Sequence, residues 1–197
     1  MSNTGMTQRC WEHDYCAPCF YMITVVTKPR RECLSALGNP GAGAAPGTGP
    51  AAGAAPGTGP AAGACLQLSP MGEVVLEVWR RTSAVYPGVE ACECVVMPDH
   101  FHGILWVKER LARPMGHIVK AFKRVSEQEC RSKGLLLPPN PGSVPAAAPA
   151  AGLPAPAAGL WQPGFQDSIL LHRGQLHAMA AYIADNPRRL AAKRANP

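Results

Sequence analysis

Apolar positions fall into short segments along the chain, and their spacing alternates between strand-like and helix-like. Residues 20–27 (FYMITVVT) are β-branched and aromatic, which predicts a strand. Residues 89–97 and 100–107 predict two more, separated by the turn Pro98-Asp99, and residues 168–171 a short fourth. Val74, Val75, Val78 and Trp79 recur at helical spacing. Their helix opens with Ser69 as cap, Pro70 at its first position and acidic Glu73 in its first turn, and should end near Tyr86-Pro87-Gly88. Met115, Ile118, Val119 and Phe122 give one apolar side of a basic helix over 114–131, with Lys120, Lys123 and Arg124 elsewhere on its surface. A last helix is predicted over 175–186 and is expected to stop at Pro187, which cannot donate the next helical hydrogen bond. The order β-α-β-β-α-β with one added C-terminal helix is an α+β class, the ferredoxin-like split βαβ arrangement. Its sheet is expected to be antiparallel, with helices on one face and the other face free for a partner.

Two tracts break this pattern. Residues 39–64 carry no charge, eight Gly and five Pro, and within them the decapeptide GAAPGTGPAA at 43–52 repeats at 53–62. Residues 138–159 are again uncharged, with seven Pro and three Gly. Ordering either would cost backbone entropy and bury little apolar surface, so both are expected to be disordered insertions in a single domain spanning 1–197. Two copies of a short repeat do not imply a solenoid. The remaining 149 residues hold all of the charge, with 19 Lys+Arg against 13 Asp+Glu and a formal net charge of +6. No apolar run approaches the roughly 18 residues of a membrane helix. No apolar segment follows the N-terminus as in a secretory signal, so a cytoplasmic protein with no membrane partner is expected.

Asp99-His100-Phe101-His102 is the first segment with chemical content. Alternation along a strand puts His100 and His102 on one face, where both imidazoles can reach one metal ion. The spacing alone is equally that of two polar residues on a half-exposed strand. On the last helix, Tyr182 and Asn186 are four residues apart and share a face, with small alanines leaving the tyrosine hydroxyl accessible. A tyrosine can serve as a covalent nucleophile or simply close the rim of a core. Lys120, Lys123, Arg124, Arg131 and Lys133 form one basic cluster, and Arg188, Arg189, Lys193 and Arg194 a second. Lys28, Arg30 and Arg31 follow the first strand. Trp106, Trp161 and Phe165 suit either base stacking or core packing. Among eight cysteines, Cys16 and Cys19 with Cys10 and His13 nearby make at most half of a zinc site. Cys92 and Cys94 are expected to be buried thiols on one strand face, and disulfides are not expected.

Taken together, these segments resemble the single-tyrosine HUH transposases of bacterial insertion sequences, especially the REP-associated tyrosine transposases. The resemblance rests on FYMITVVT with the following Lys28-Pro29-Arg30-Arg31, then LSPMGEVVLEVW, VVMPDHFHGIL, GHIVKAFKRV, LWQPGF and YIADNP, in the family's order. The resemblance implies a metal-dependent transposase that nicks and rejoins single-stranded or hairpin DNA through a 5′-phosphotyrosine. It implies Tyr182 as nucleophile and His100, His102 and Asn186 as ligands of Mg2+ or Mn2+. The basic residues Lys120, Lys123, Arg124, Arg188 and Arg189 would contact DNA. Relatives work as homodimers or as monomers, so a homodimer is compatible with the sequence. Two departures stand out: Asp99 where relatives usually have Asn, and Phe165-Gln166-Asp167-Ser168 where relatives usually have a second aromatic and a histidine. Asn or Asp can equally turn the chain into the strand. The alternative, a DNA-binding descendant with weakened catalysis, therefore rests on the missing aromatic and histidine and on the uncharged insertions. An unrelated metal hydrolase with a water nucleophile is a third reading.

Overall fold

The computed structural model describes residues 12–38, 65–136 and 159–195. The expected disorder of 39–64 and of 138–158 lies outside the described residues. The elements are β1 (Cys19–Val26), β2 (Ser35–Gly38), β3 (Cys65–Leu68), α1 (Pro70–Val85), β4 (Val89–Val96), β5 (His100–Val107), α2 (Gly116–Ser132), β6 (Gln166–Leu170) and α3 (Arg173–Ala195). Four strands form the main sheet in the order β4-β5-β1-β6, with every neighbouring pair antiparallel. With β2 and β3 set aside, this is the split βαβ order the sequence predicts.

The β2–β3 hairpin was not anticipated. Its strands pair from Ser35 with Leu68 to Gly38 with Cys65, so they bracket the first low-complexity tract. Each is four residues long, too short for its alternation to be read. Helix α1 starts as expected: the Ser69 hydroxyl accepts the Gly72 N–H at 3.1 Å, with Pro70 in the first turn.

Helices α1 and α2 cover one face of the sheet. Val74, Val75, Val78 and Trp79 of α1 meet Ile118, Val119 and Phe122 of α2 over Tyr21, Ile23, Val25, Phe101, Leu105 and Val107. Gly103 makes this packing possible. A Cβ there would lie 2.7 Å from the Trp79 ring and 2.8 Å from the Phe101 ring. The Arg81–Glu129 pair, 2.5 Å, ties the two helices at their outer edge.

The opposite face was expected to be free. Instead it carries α3, because the even-numbered residues of β1 and β5 supply a second, smaller apolar patch. Met22, Ile104, Leu170 and Ile183 form its buried centre, and Leu176, Met179, Ala180 and Tyr182 pack around it. The spacing 176, 179/180, 183 and 186 is a helical stripe. At its start, Gln175 Oε1 accepts the N–H groups of Leu171 (2.7 Å) and His172 (3.2 Å), satisfying donors at the helix entrance.

The expected stop at Pro187 is corrected: α3 runs through it to Ala195. Proline removes one helical hydrogen bond, but the turns on both sides are anchored. Ile183 is buried before it, and Arg194 pairs with Glu32 beyond it. In the same turn the Asn186 side-chain amide donates to the Tyr182 carbonyl at 2.8 Å. The shared face of Cys92 and Cys94 is also corrected. A β-bulge between Ala91 and Cys94 inserts one residue, so Cys92 packs on the α3 side and Cys94 on the α1 side. Burial pushes both thiols up to about 12, so they are inert at neutral pH. No helix among the described residues is long and apolar enough to cross a membrane.

Replacing Ile183 by Ala removes the central contact of the smaller patch and should cost α3 about 2–5 kcal/mol of docking. Hydrogen exchange checks this. The amides of α3 should lose protection while those of β1 and β5 keep theirs; uniform loss across the chain would contradict a separately docked helix.

Candidate functional site

The site is assembled where β5 begins and α3 crosses it. His100 and His102 stand on the α3 side of β5, with ring centroids 4.6 Å apart. Tyr182 lies against this pair, its ring 5.8 Å from that of His102 and nearly edge-on at 70°. All three belong to one chain.

Each imidazole is held from behind. His102 is 7% exposed, and its Nδ1 shares a 2.8 Å hydrogen bond with the Thr24 hydroxyl, its cross-strand neighbour on β1. The Nδ1 of His100 lies 2.6 Å from Asp99 Oδ1, the geometry of an N–H donating to a carboxylate. Asp99 in turn receives Arg30 Nη1 at 3.3 Å on its other oxygen. Arg30 reaches it from a tight turn at φ 42°, a left-handed conformation unusual for a side-chain-bearing residue. That turn is fixed by buried Thr27, whose hydroxyl lies 2.9 Å from each of the Arg31 and Asp99 carbonyl oxygens and shares its one proton between them. With both Nδ1 atoms engaged, the Nε2 atoms remain for a ligand, the usual arrangement behind metal-bound histidine.

Burial is the main cause holding the His102 imidazole at about 4, well below its ordinary value, and the nearby His100 pushes the same way. His102 is therefore neutral at physiological pH and its lone pair is available. Asn186 sits one turn beyond Tyr182 on the same stripe and is 7% exposed. With its amide nitrogen spent on the Tyr182 carbonyl, its Oδ1 is the atom left to ligate. Two imidazoles and one amide oxygen are donors that a divalent metal ion could take, the imidazoles favouring transition metals. Among the described residues no group of three or more His, Cys, Asp or Glu could hold a metal on its own, so neither Cys16 nor Cys19 belongs to such a cluster.

The basic residues separate into two places. Arg189 lies on α3 with its guanidinium 5.3 Å from the centre of the Tyr182 ring. Arg188, one residue earlier, is exposed and paired with Asp185 at 2.6 Å, which holds that carboxyl below its ordinary value. Lys120, Lys123 and Arg124 lie on α2, across the sheet from the histidines. Lys123 is half-buried and donates to the Gln162 carbonyl (2.6 Å) and the Gly164 carbonyl, and burial lowers its pKa. Trp161 is 6% exposed, with Nε1 donating to Ser126 Oγ at 3.0 Å, which makes it a core residue. Trp106 is half-buried, stacked on Phe20 at 4.9 Å on the histidine face.

Spacing along the chain does not reveal that Thr24 supports His102, or that Arg30 and Asp99 stand behind His100. Only the register that sets Thr24 opposite His102 identifies the first.

No protein-family profile matches the chain, and no curated protein matches it. Solved structures do. One is a REP-associated tyrosine transposase bound to a REP hairpin: 14% identity, 91% of this chain and 73% of that one, TM-score 0.52. The chain shares that fold. A candidate transposase from Deinococcus radiodurans aligns over 90% of this chain and 96% of its own at 16% identity and TM-score 0.46. The shared fold with the REP-associated tyrosine transposase accords with the split βαβ architecture and the added C-terminal helix described above.

The depressed pKa of His102 has a testable sign. The unfolded chain takes up this proton near pH 6.5, the folded chain only near 4. The stability contributed by neutral His102 is thus complete above pH 6.5 and is lost as pH falls toward 4. An NMR titration of the metal-free protein should find the His102 ring unprotonated down to about pH 5; titration at its ordinary value would contradict its burial.

Proposed function

We propose that this chain is a DNA-nicking and strand-transferring transposase that acts on single-stranded DNA through Tyr182. The observation that carries this reading is the contact between the Tyr182 ring and the His102 ring within one chain. A phenol on its own is a weak nucleophile. Beside a pair of oriented imidazoles, it could attack a phosphodiester held there.

His100 and His102, with Asn186, would hold Mg2+ or Mn2+, which supplies a Lewis acid for the charge developing on the phosphoryl oxygens. Everything else falls to the chain. Thr24 and Asp99 fix the ring orientations, so the two Nε2 atoms present a prearranged pair. The buried stripe of α3 fixes the helix that carries Tyr182. Arg189, its guanidinium 5.3 Å from the centre of the Tyr182 ring, would offer a cation to a phosphate held at the tyrosine. Attack of the Tyr182 oxygen on phosphorus forms the O–P bond of a 5′-phosphotyrosine. The phenol proton passes to water, the P–O3′ bond breaks, and the leaving 3′-oxygen takes a proton from water to become a hydroxyl. The tyrosine ester keeps the bond energy, so a second 3′-hydroxyl can displace it and rejoin DNA without ATP. Arg188 and the α2 residues Lys120, Lys123 and Arg124 supply phosphate contacts in this reading, and affinity should fall steeply with salt.

Incubating the protein with single-stranded oligonucleotides and Mn2+, then resolving it under denaturing conditions, should reveal a covalent DNA adduct. Tyr182→Phe should abolish the adduct with binding retained, and His100→Ala or a chelator should abolish nicking. An adduct that survives in the phenylalanine variant would overturn the assignment. Tight DNA binding by the parent chain with no adduct would favour the weakened, DNA-binding reading.

A further inference from the structure

The two imidazoles are not backed alike. Behind His102 stands a neutral hydroxyl, that of Thr24, at 2.8 Å. Behind His100 stands a carboxylate oxygen, Asp99 Oδ1, at 2.6 Å. A hydroxyl donates to a ring nitrogen or accepts from it, so Thr24 orients the His102 ring without choosing its tautomer. A carboxylate only accepts, so it puts the ring proton of a neutral His100 on Nδ1 and the lone pair on Nε2. A hydrogen bond to an anion is also stronger than one to a hydroxyl, and it makes the opposite ring nitrogen more basic.

The carboxylate is itself held. Its other oxygen receives Arg30 Nη1 at 3.3 Å. The backbone beneath it is tied to the segment that follows β1. The Asp99 carbonyl accepts the Thr27 N–H at 2.9 Å, and the Pro98 carbonyl accepts the N–H groups of Cys33 and Leu34 at 2.9 and 3.0 Å. Asp99 therefore has little freedom to turn away from His100. Arg30 also balances its charge, so what reaches the metal position is chiefly the local push on the His100 ring.

We propose that Asp99 sets which divalent ion the site takes, by making His100 the stronger nitrogen donor and so favouring a transition ion such as Mn2+ or Co2+ over Mg2+. The inference rests on the reading of His100 and His102 as metal ligands. It goes beyond orientation, which an uncharged acceptor would supply equally. Mg2+ prefers oxygen and gains least from a better nitrogen donor, whereas Co2+ gains more than Mn2+. Weakening the donor should therefore cost Co2+ most, Mn2+ less and Mg2+ least. A change of charge alone acts alike on three ions of equal charge.

The test is metal binding by the DNA-free full chain. Mn2+ is titrated by electron paramagnetic resonance, and Co2+ and Mg2+ by their displacement of it. Asp99→Asn keeps the shape and an acceptor oxygen and removes the charge. It should weaken Co2+ and Mn2+ binding by about tenfold or more, as loss of such a backing group does elsewhere, and Mg2+ binding less. Arg30→Gln unbalances Asp99 and should move all three affinities by a common factor, with their ratios as in the parent. Equal losses for the three ions in Asp99→Asn, or no loss, overturn the proposal, as does a change of ratios in Arg30→Gln as large as that in Asp99→Asn. A parent chain that binds none of the ions refutes the metal site itself, and the proposal falls with it. A second measurement needs neither variant. Nitrogen NMR spectra of the metal-free parent above neutral pH should place the His100 ring proton on Nδ1; a proton on Nε2 contradicts the backing by Asp99.

Discussion

A small apolar patch decides what this fold can do. The larger core, between the sheet and α1 and α2, makes the domain. The smaller one, centred on Ile104 and Ile183 with Met22 and Leu170, makes the site. It seats α3 on the face where His100 and His102 project. Ile183 follows Tyr182 directly, and Asn186 lies one turn on, so burying the isoleucine places the tyrosine beside the imidazoles. Full burial of such a side chain contributes about 1.5–3 kcal/mol. The helix is otherwise rich in alanine, so few other contacts could replace it.

The histidines owe their readiness to a polar scaffold beneath the same face. Thr24 faces His102 across one strand pair, and the Arg30–Asp99 pair stands behind His100. The turn that delivers Arg30 is anchored by buried Thr27. Burial keeps His102 neutral. The two ring orientations are thus set by the sheet and its flanking turn.

Much of this was legible in the sequence where local pattern and tertiary demand agree. The β5 segment 100–107 reads directly, because its odd positions are apolar and its turn is marked by Pro98-Asp99. The cap of α1 reads as well, since Ser69 and Pro70 act locally. Failures arose where distant contacts outweighed local preference. Pro187 does not end α3, because Ile183 and Arg194 anchor the helix on both sides of it. Cys92 and Cys94 part company because one inserted residue reverses the alternation that would align them. The paired imidazoles and the face shared by Tyr182 and Asn186 follow from spacing, whereas Thr24 and Arg30 depend on strand register and a left-handed turn, which no local pattern carries.

The spatial claim on which the account turns is that Tyr182 and His102 are neighbours within one molecule. Nuclear Overhauser measurements on the DNA-free, metal-free protein test it most directly. Cross-peaks between the ring protons of Tyr182 and His102 are expected, and they should persist when labelled chains are diluted into unlabelled ones. Absence of these cross-peaks, or their appearance only between differently labelled chains, would contradict it.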